Sequence, residues 1–325
     1  MRFAIVGAGA TGGYLGACLA RSGTDVVLVA RGPHLAAMRD RGLTVRETDG
    51  NEFTARPEAT DDLAAAVGSA DAVFVTLKAH SLPAVAPALG AALRPGATLV
   101  TAQNGIPWWY FQRYQGPLAG TRLETVDPGG VIADHIPIEA VVGCIVYPAT
   151  SLPEPGVVEH VEGNRFSLGE LDGSRSERVA AISKVLAGAG LKAPVQARIR
   201  HESWLKLLGN ATFNPVSAVA RATLAELGAL PESRELVRAL MGEVDSVARA
   251  LGVEVDVGIE RRLEAGFAVG DHKTSMLQDV EAGRRLEVAA LVGAVCELGD
   301  HLQLDLPHLR SVYAVVKLLD LSLGH

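Results

Sequence analysis

Apolar positions along this chain change their spacing part-way. Early on, short continuous hydrophobic runs read as strands buried on both faces of a parallel sheet: Arg2-Phe3-Ala4-Ile5-Val6, Asp25-Val26-Val27-Leu28-Val29-Ala30, Asp71-Ala72-Val73-Phe74-Val75-Thr76-Leu77 and Ala97-Thr98-Leu99-Val100-Thr101-Ala102. Helical spacing separates them, beginning with Leu15, Leu19 and Ala20. After about residue 139 the intervening helices drop out, and 140–147, 156–161 and 165–168 read as an antiparallel extension. From Arg198 onward the pattern is almost wholly helical. The expectation is an α/β domain over 1–197 followed by a helical domain over 198–325, without a repeat or low-complexity linker at the boundary.

The first strand runs straight into Gly7-Ala8-Gly9-Ala10-Thr11-Gly12 and then into helical spacing. This is GxGxxG in the context a dinucleotide loop requires. The first glycine permits the tight turn, the second lets the backbone approach a pyrophosphate, and the third lets helix and strand pack closely while the helix N-terminus faces the anion. At the end of the second strand, where an acidic residue would bind the ribose hydroxyl of NAD, the chain has Arg31, and no acid lies between Asp25 and Asp40. Arg31 suits a 2′-phosphate, so NADPH/NADP+ is the expected cofactor. Lys78 and Asn104-Gly105 follow the third and fourth strands, at the sheet's carboxyl edge where open α/β folds bind ligands.

A second constellation lies in the helical part. Lys206, Asn210 and Asn214 recur every four residues in an otherwise apolar segment, which places an amine and two amides on one helical stripe. Buried unpaired amides cost about 1–3 kcal/mol each, so the stripe needs satisfied partners or a polar ligand. Pro215 withholds the donor for the Ala211 carbonyl and predicts a kink beside Asn214. Further on, Gly283 reads as a helix C-cap that separates Ser275 and Glu287 onto successive helices.

Composition narrows the partners. With 325 residues, 48% of them hydrophobic and 21% charged, the chain suits two packed cores. A net charge of −7 without basic runs disfavours nucleic acid and anionic membranes, and no apolar run reaches membrane-span length. The N-terminal stretch through Ala17-Cys18-Leu19-Ala20 looks signal-like, but its glycines fit the nucleotide loop better. Cys18, Cys144 and Cys296 read as reduced core thiols of a cytoplasmic protein, and the histidines form no metal-ligand motif.

These residues together resemble the ketopantoate reductases (2-dehydropantoate 2-reductases). The resemblance spans nearly the whole chain and rests on the glycine loop with Arg31, Thr76-Leu77-Lys78-Ala79, Gln103-Asn104-Gly105, Trp204-Leu205-Lys206-Leu207 with Asn210 and Asn214-Pro215, Ser275-Met276-Leu277-Gln278-Asp279, and Glu287. It implies an N-terminal Rossmann-type domain and an all-helical C-terminal domain with the active site in the cleft between them, and reduction of a 2-oxo acid to a 2-hydroxy acid by NADPH, ketopantoate being the leading substrate. By the same resemblance Lys206 is the general acid, Asn104 lies between nicotinamide and lysine, Asn210, Asn214 and Ser275 bind substrate, Glu287 holds its hydroxyl, and Arg31 and Lys78 approach the NADP ribose phosphate.

The chain departs from that pattern in places. Ala289 and Val292 stand where an Asp and an Asn often follow the glutamate, and His272 stands where some relatives have Asn. Trp108, Trp109, Tyr110, Phe111 and Tyr114 crowd the stretch after Asn104-Gly105, as a core, an oligomer interface or the wall of a substrate pocket. A homodimer is one expectation from that cluster. Two other readings keep the fold: reduction of a bulkier 2-oxo acid or an imine, and a non-catalytic NADP sensor, which would need neither Lys206 nor the asparagines.

Overall fold

Each of the four early apolar runs forms a strand, and in the computed structural model, which describes residues 1–255 and 257–323, they lie in one parallel sheet. The chain divides into two units, Met1–Gln103 with Gly129–Ile199, and Asn104–Pro128 with Arg200–His325.

The strands of the first unit are β1 (Phe3–Val6), β2 (Val26–Val29), β3 (Leu43–Glu47), β4 (Glu52–Ala55), β5 (Glu58–Thr60), β6 (Ala72–Val75), β7 (Thr98–Thr101), β8 (Val141–Val146), β9 (Ala149–Glu154), β10 (Val157–Glu162) and β11 (Phe166–Gly169). Its helices are α1 (Ala10–Arg21), α2 (Gly32–Arg41), α3 (Leu63–Ser69), α4 (Leu82–Ala92), α5 (Val131–His135) and α6 (Glu177–Gly188). The main sheet runs β11-β8-β7-β6-β1-β2-β5. Strand order reverses at β1, between β2 and β6, which is the switch point where such sheets bind ligands.

The expected antiparallel extension forms only in part. β8 joins β7 in parallel, with Leu99 beside Val141, and β11 alone among the main-sheet strands is antiparallel, on β8. β10 belongs to a second sheet, β4-β3-β10-β9, pairing in parallel with β3. The reason is burial. Every residue of β8 is buried, as an interior strand requires, whereas β3, β9 and β10 keep solvated positions suited to a sheet with one wet face. The second sheet lies against α1: a Cβ on Gly13 would come within 3.0 Å of Val158, and the Tyr14 ring stacks on His160 at 4.2 Å.

The second unit contains α7 (Ile199–Asn210), which starts at the boundary, then α8 (Phe213–Ala220), α9 (Leu224–Ala229), α10 (Pro231–Ala250), α11 (Ile259–Phe267), α12 (Ser275–Glu281), α13 (Ala294–Leu302) and α14 (Pro307–Ser322). The helical stripe is interrupted. α7 stops at Asn210 and α8 starts at Phe213, so Asn214 sits on a different helix from Lys206 and Asn210. Thr212 Oγ1 turns back to donate to the Leu208 carbonyl at 2.7 Å, and Pro215 occupies the first turn of α8, where a missing N–H costs nothing. Gly283 ends α12 in the left-handed region as expected, with the Arg284 N–H on the Asp279 carbonyl at 2.8 Å.

The boundary expected near 197 lies close to the crossing at Ile199/Arg200, and the chain also leaves the first unit once earlier, over residues 104–128. Residues 104–128 pack with the helices, and their partners show why. Trp204 Nε1 donates to the Tyr110 hydroxyl at 2.6 Å, Arg200 donates to the Tyr110 and Gln112 carbonyls at 2.6 and 2.7 Å, and the Tyr114 hydroxyl donates to the Leu251 carbonyl at 2.7 Å. Glu297 of α13 closes the far end, accepting from Thr125 N at 2.9 Å and Thr125 Oγ1 at 2.5 Å. Trp108, Trp109, Tyr110 and Phe111 are all buried. These four rings are core, and Tyr114 is half-buried beside them.

Candidate functional site

The glycine loop in the first unit has the shape its spacing predicts. Gly7 adopts φ +97, and a Cβ there would meet the Leu77 backbone nitrogen at 2.9 Å. A Cβ on Gly12 would lie 2.3 Å from Thr76 Oγ1 and 2.4 Å from the Gly7 carbonyl, so only glycine allows α1 to approach β1 and β6 this closely. Gly9 differs: nothing lies within 4 Å of its Cβ position. That open side, at a helix start with no side-chain cap and no first-turn acid, leaves backbone N–H groups of Ala10 and Thr11 to meet an anion. These residues fit the pyrophosphate of a dinucleotide.

Arg31 and Lys78 follow β2 and β6, the strands on either side of β1. Arg31 is the N-cap of α2, exposed and without an ion pair among the described residues, which suits a phosphate ligand. Lys78 is half-buried and opens the short turn Ala79–Ser81.

The second unit brings Asn104, Lys206 and Glu287 together. Lys206 Nζ donates to Asn104 Oδ1 at 2.5 Å, and Asn104 Nδ2 donates to Glu287 Oε2 at 3.4 Å. The amide thus bridges a cation and a carboxylate that lie 81 positions apart in sequence, using its two ends for opposite charges. All three side chains are half-buried. Asn214 and Ser275 form a separate pair, 3.5 Å apart, with Thr274 capping α12 just before Ser275. Asn210 lies half-buried at the C-terminal end of α7.

What places Asn104 was not evident from sequence. Before α13 the chain makes a π-turn over Ala289–Gly293, which frees the Ala290 carbonyl to accept from Ile106 N at 2.9 Å. Gly105 passes beneath that turn at φ +91, where a Cβ would sit 2.3 Å from the Ala290 oxygen. Glu287 stands two residues before the same turn, with Val288 between them. Ala289 and Val292 fall within it, Val292 fully buried, so these two positions offer Glu287 no polar side chain, and Asn104 donates to it. His272 lies in the loop before α12, its carbonyl accepting from Leu224 N at 3.0 Å.

Tyr110 and Trp204 form the other support. Both are fully buried, and burial pushes the Tyr110 hydroxyl's pKa up, keeping it neutral as the acceptor of the indole N–H. Tyr110→Phe leaves that N–H unpaired in the core, and a loss of about 1–3 kcal/mol in denaturant unfolding is expected. An unchanged midpoint would show that water replaces the hydroxyl.

The family model described as ketopantoate reductase PanE/ApbA matches residues 3–108, and its C-terminal counterpart matches residues 198–320. The chain belongs to the ketopantoate reductase family. A 2-dehydropantoate 2-reductase from Mesorhizobium japonicum is 47% identical over 325 residues, covering 100% of this chain and 99% of that protein. Among solved structures, a putative ketopantoate reductase from Ralstonia solanacearum matches with a TM-score of 0.93 at 39% identity, covering 99% of this chain and 98% of that one. The 2-dehydropantoate 2-reductase of Geobacter metallireducens matches at 0.84 and 28% identity, with 98% and 99% coverage. As a ketopantoate reductase the chain is an NADP-dependent oxidoreductase acting on CH–OH groups, with a Rossmann-type domain and a helical domain. Among the described residues no helix is long and apolar enough to cross a membrane. The three cysteines are buried and form no disulfide among the described residues.

Proposed function

We propose that this chain reduces 2-dehydropantoate to pantoate, with Lys206 as proton donor and Asn104 and Glu287 as the groups that orient it and the substrate. The 2.5 Å contact between Lys206 Nζ and Asn104 Oδ1 carries this reading. Bound NADPH supplies the hydride. As the carbonyl carbon is reduced, negative charge builds on its oxygen, and an ammonium within hydrogen-bond reach stabilises that charge and delivers the proton. Asn104 Oδ1 holds the ammonium in place. Glu287, held by Asn104 Nδ2, accepts from the substrate hydroxyl, and Asn210, Asn214 and Ser275 bind the substrate, including its carboxylate.

Burial of Trp108 through Phe111 favours a compact 2-oxo acid over a bulky one, because those rings are committed to packing. NADPH oxidation measured against ketopantoate and a panel of 2-oxo acids tests the reading. Ketopantoate should give the highest kcat/KM, and a clear preference for an aromatic 2-oxo acid would overturn it.

Arg31, aided by Lys78, is proposed as the ligand of the 2′-phosphate. A charged hydrogen bond contributes about 1.5–3 kcal/mol, so Arg31→Ala should weaken NADPH binding roughly 10- to 100-fold and leave NADH nearly unchanged. Equal losses for the two cofactors would remove the assignment.

A cytoplasmic homodimer completes the proposal. Three buried cysteines without a disulfide suit a reducing compartment, and a ketopantoate reductase from Staphylococcus aureus is described as dimeric. Val315, Leu318 and Leu321 leave an apolar stripe exposed on α14, and sedimentation velocity reads the assembly directly, a monomer at micromolar concentration counting against it.

A further inference from the structure

His34 stands in the first turn of α2, three residues after Arg31, and is half-buried. Its ring makes two hydrogen bonds. The Gly156 N–H, in the turn between β9 and β10, donates to Nδ1 at 2.9 Å, and Nε2 lies 2.7 Å from the Ala8 carbonyl. A backbone N–H can only donate and a carbonyl can only accept, so Nδ1 carries no hydrogen and Nε2 carries one. One neutral tautomer satisfies both contacts. Burial holds the imidazole's pKa below its ordinary value, although the bond to Ala8 opposes the shift, and this favours the neutral state that both bonds require.

Ala8 lies between the first two glycines of the loop. Fixing its carbonyl fixes the Ala8–Gly9 peptide plane, whose N–H donates to the Gly7 carbonyl at 2.7 Å just before the open side of Gly9. The same imidazole belongs to the helix that Arg31 caps. That helix is also fastened to the β9–β10 turn, since Arg41 donates to the Pro155 carbonyl at 2.7 Å and a Cβ on Gly156 would touch Ala37 at 2.9 Å.

We infer that His34 is a positioning residue for cofactor selection, a crossbar that sets the distance between the glycine loop and Arg31 so that one NADPH molecule engages both. The pyrophosphate loop alone serves either dinucleotide. Only the 2′-phosphate needs the loop and the arginine in register, so loss of the crossbar falls mainly on NADPH. This inference rests on the assignment of Arg31 to the 2′-phosphate.

The test titrates NADPH and NADH into the full chain carrying His34→Leu or His34→Gln, with Arg31→Ala in parallel. His34→Leu keeps bulk and removes both bonds, and should raise the Kd for NADPH about tenfold and that for NADH threefold or less. At saturating NADPH its kcat should stay within about twofold of wild type. His34→Gln keeps a donor for Ala8 and should recover most of the NADPH affinity, and it serves if the leucine variant does not fold. Equal losses for NADPH and NADH, or none, in His34→Leu would overturn the inference, and if that variant does not fold, a loss of about tenfold or more in His34→Gln shared equally by the two cofactors would do so. A cofactor preference lost in Arg31→Ala but kept in His34→Leu overturns the crossbar and leaves the Arg31 assignment standing, while a preference kept in both overturns the two together.

Discussion

Lys206→Ala is expected to lower kcat by about 10²- to 10⁴-fold while NADPH affinity stays near wild type. The factor is that of a positioned proton donor, and the cofactor loop lies in the other unit. Removal of the amine also leaves Asn104 Oδ1 without its 2.5 Å donor, so part of the loss reflects a disordered amide. Glu287→Ala separates the two contributions. Its hydrogen bond to substrate exists before as well as during hydride transfer, so the effect should fall chiefly on KM. A Lys206→Ala enzyme with near-wild-type kcat would show that the lysine only supports the fold, and the proton donor would have to be sought elsewhere.

Gly105→Ala should lower activity by a smaller but clear factor without touching a reacting group. The new Cβ would sit 2.3 Å from the Ala290 carbonyl oxygen, a backbone atom that cannot rotate away, and the residue would be held at φ +91. Left-handed backbone alone costs a non-glycine residue about 1–2 kcal/mol, and the collision adds to it. The segment must lift from the π-turn, which takes Asn104 away from Lys206 and Glu287 together. A fall in kcat of roughly 10- to 100-fold is expected, scaled from the lysine's own contribution. Gly50→Ala is the control. That glycine has φ +87 but nothing within 4 Å of its Cβ, so it should lose about 1 kcal/mol of stability and no activity. If the two variants behave alike, positive φ and not the close approach governs Gly105.

The difference between what the sequence disclosed and what it withheld follows sequence distance. The glycine loop was legible because its three glycines fall within six residues, two of them demanded by the close approach of strand and helix and one leaving an open side. The place of Arg31, just after β2 and at the N-cap of α2, was legible for the same reason. The stripe of Lys206, Asn210 and Asn214 was read as one helix, since four-residue spacing takes no account of Thr212 bonding back to the Leu208 carbonyl. Pro215 did announce the interruption. β8 and β10 were assigned together because both follow the loss of intervening helices, yet their different burial sends them to different sheets. The segment 104–128 was least legible: the bonds it makes to Trp204, Arg200 and Glu297 span 88 or more positions, and buried aromatics alone do not say which core they enter.

The route of that segment bears on how the protein can be divided. A cut near residue 197, where the spacing of apolar residues changes, would yield a C-terminal fragment lacking the rings that cover Trp204, the amide that receives Lys206 and the backbone donors that satisfy Glu297. Its N-terminal counterpart would carry Trp108 through Tyr114 with nothing to bury them. Mixed after separate synthesis, the halves would recover activity only by reinserting residues 104–128 among the helices, so complementation should be poor and aggregation of the larger fragment prominent. Breaks at 103/104 and 128/129, with the segment joined to the helices instead, follow the boundaries the packing obeys.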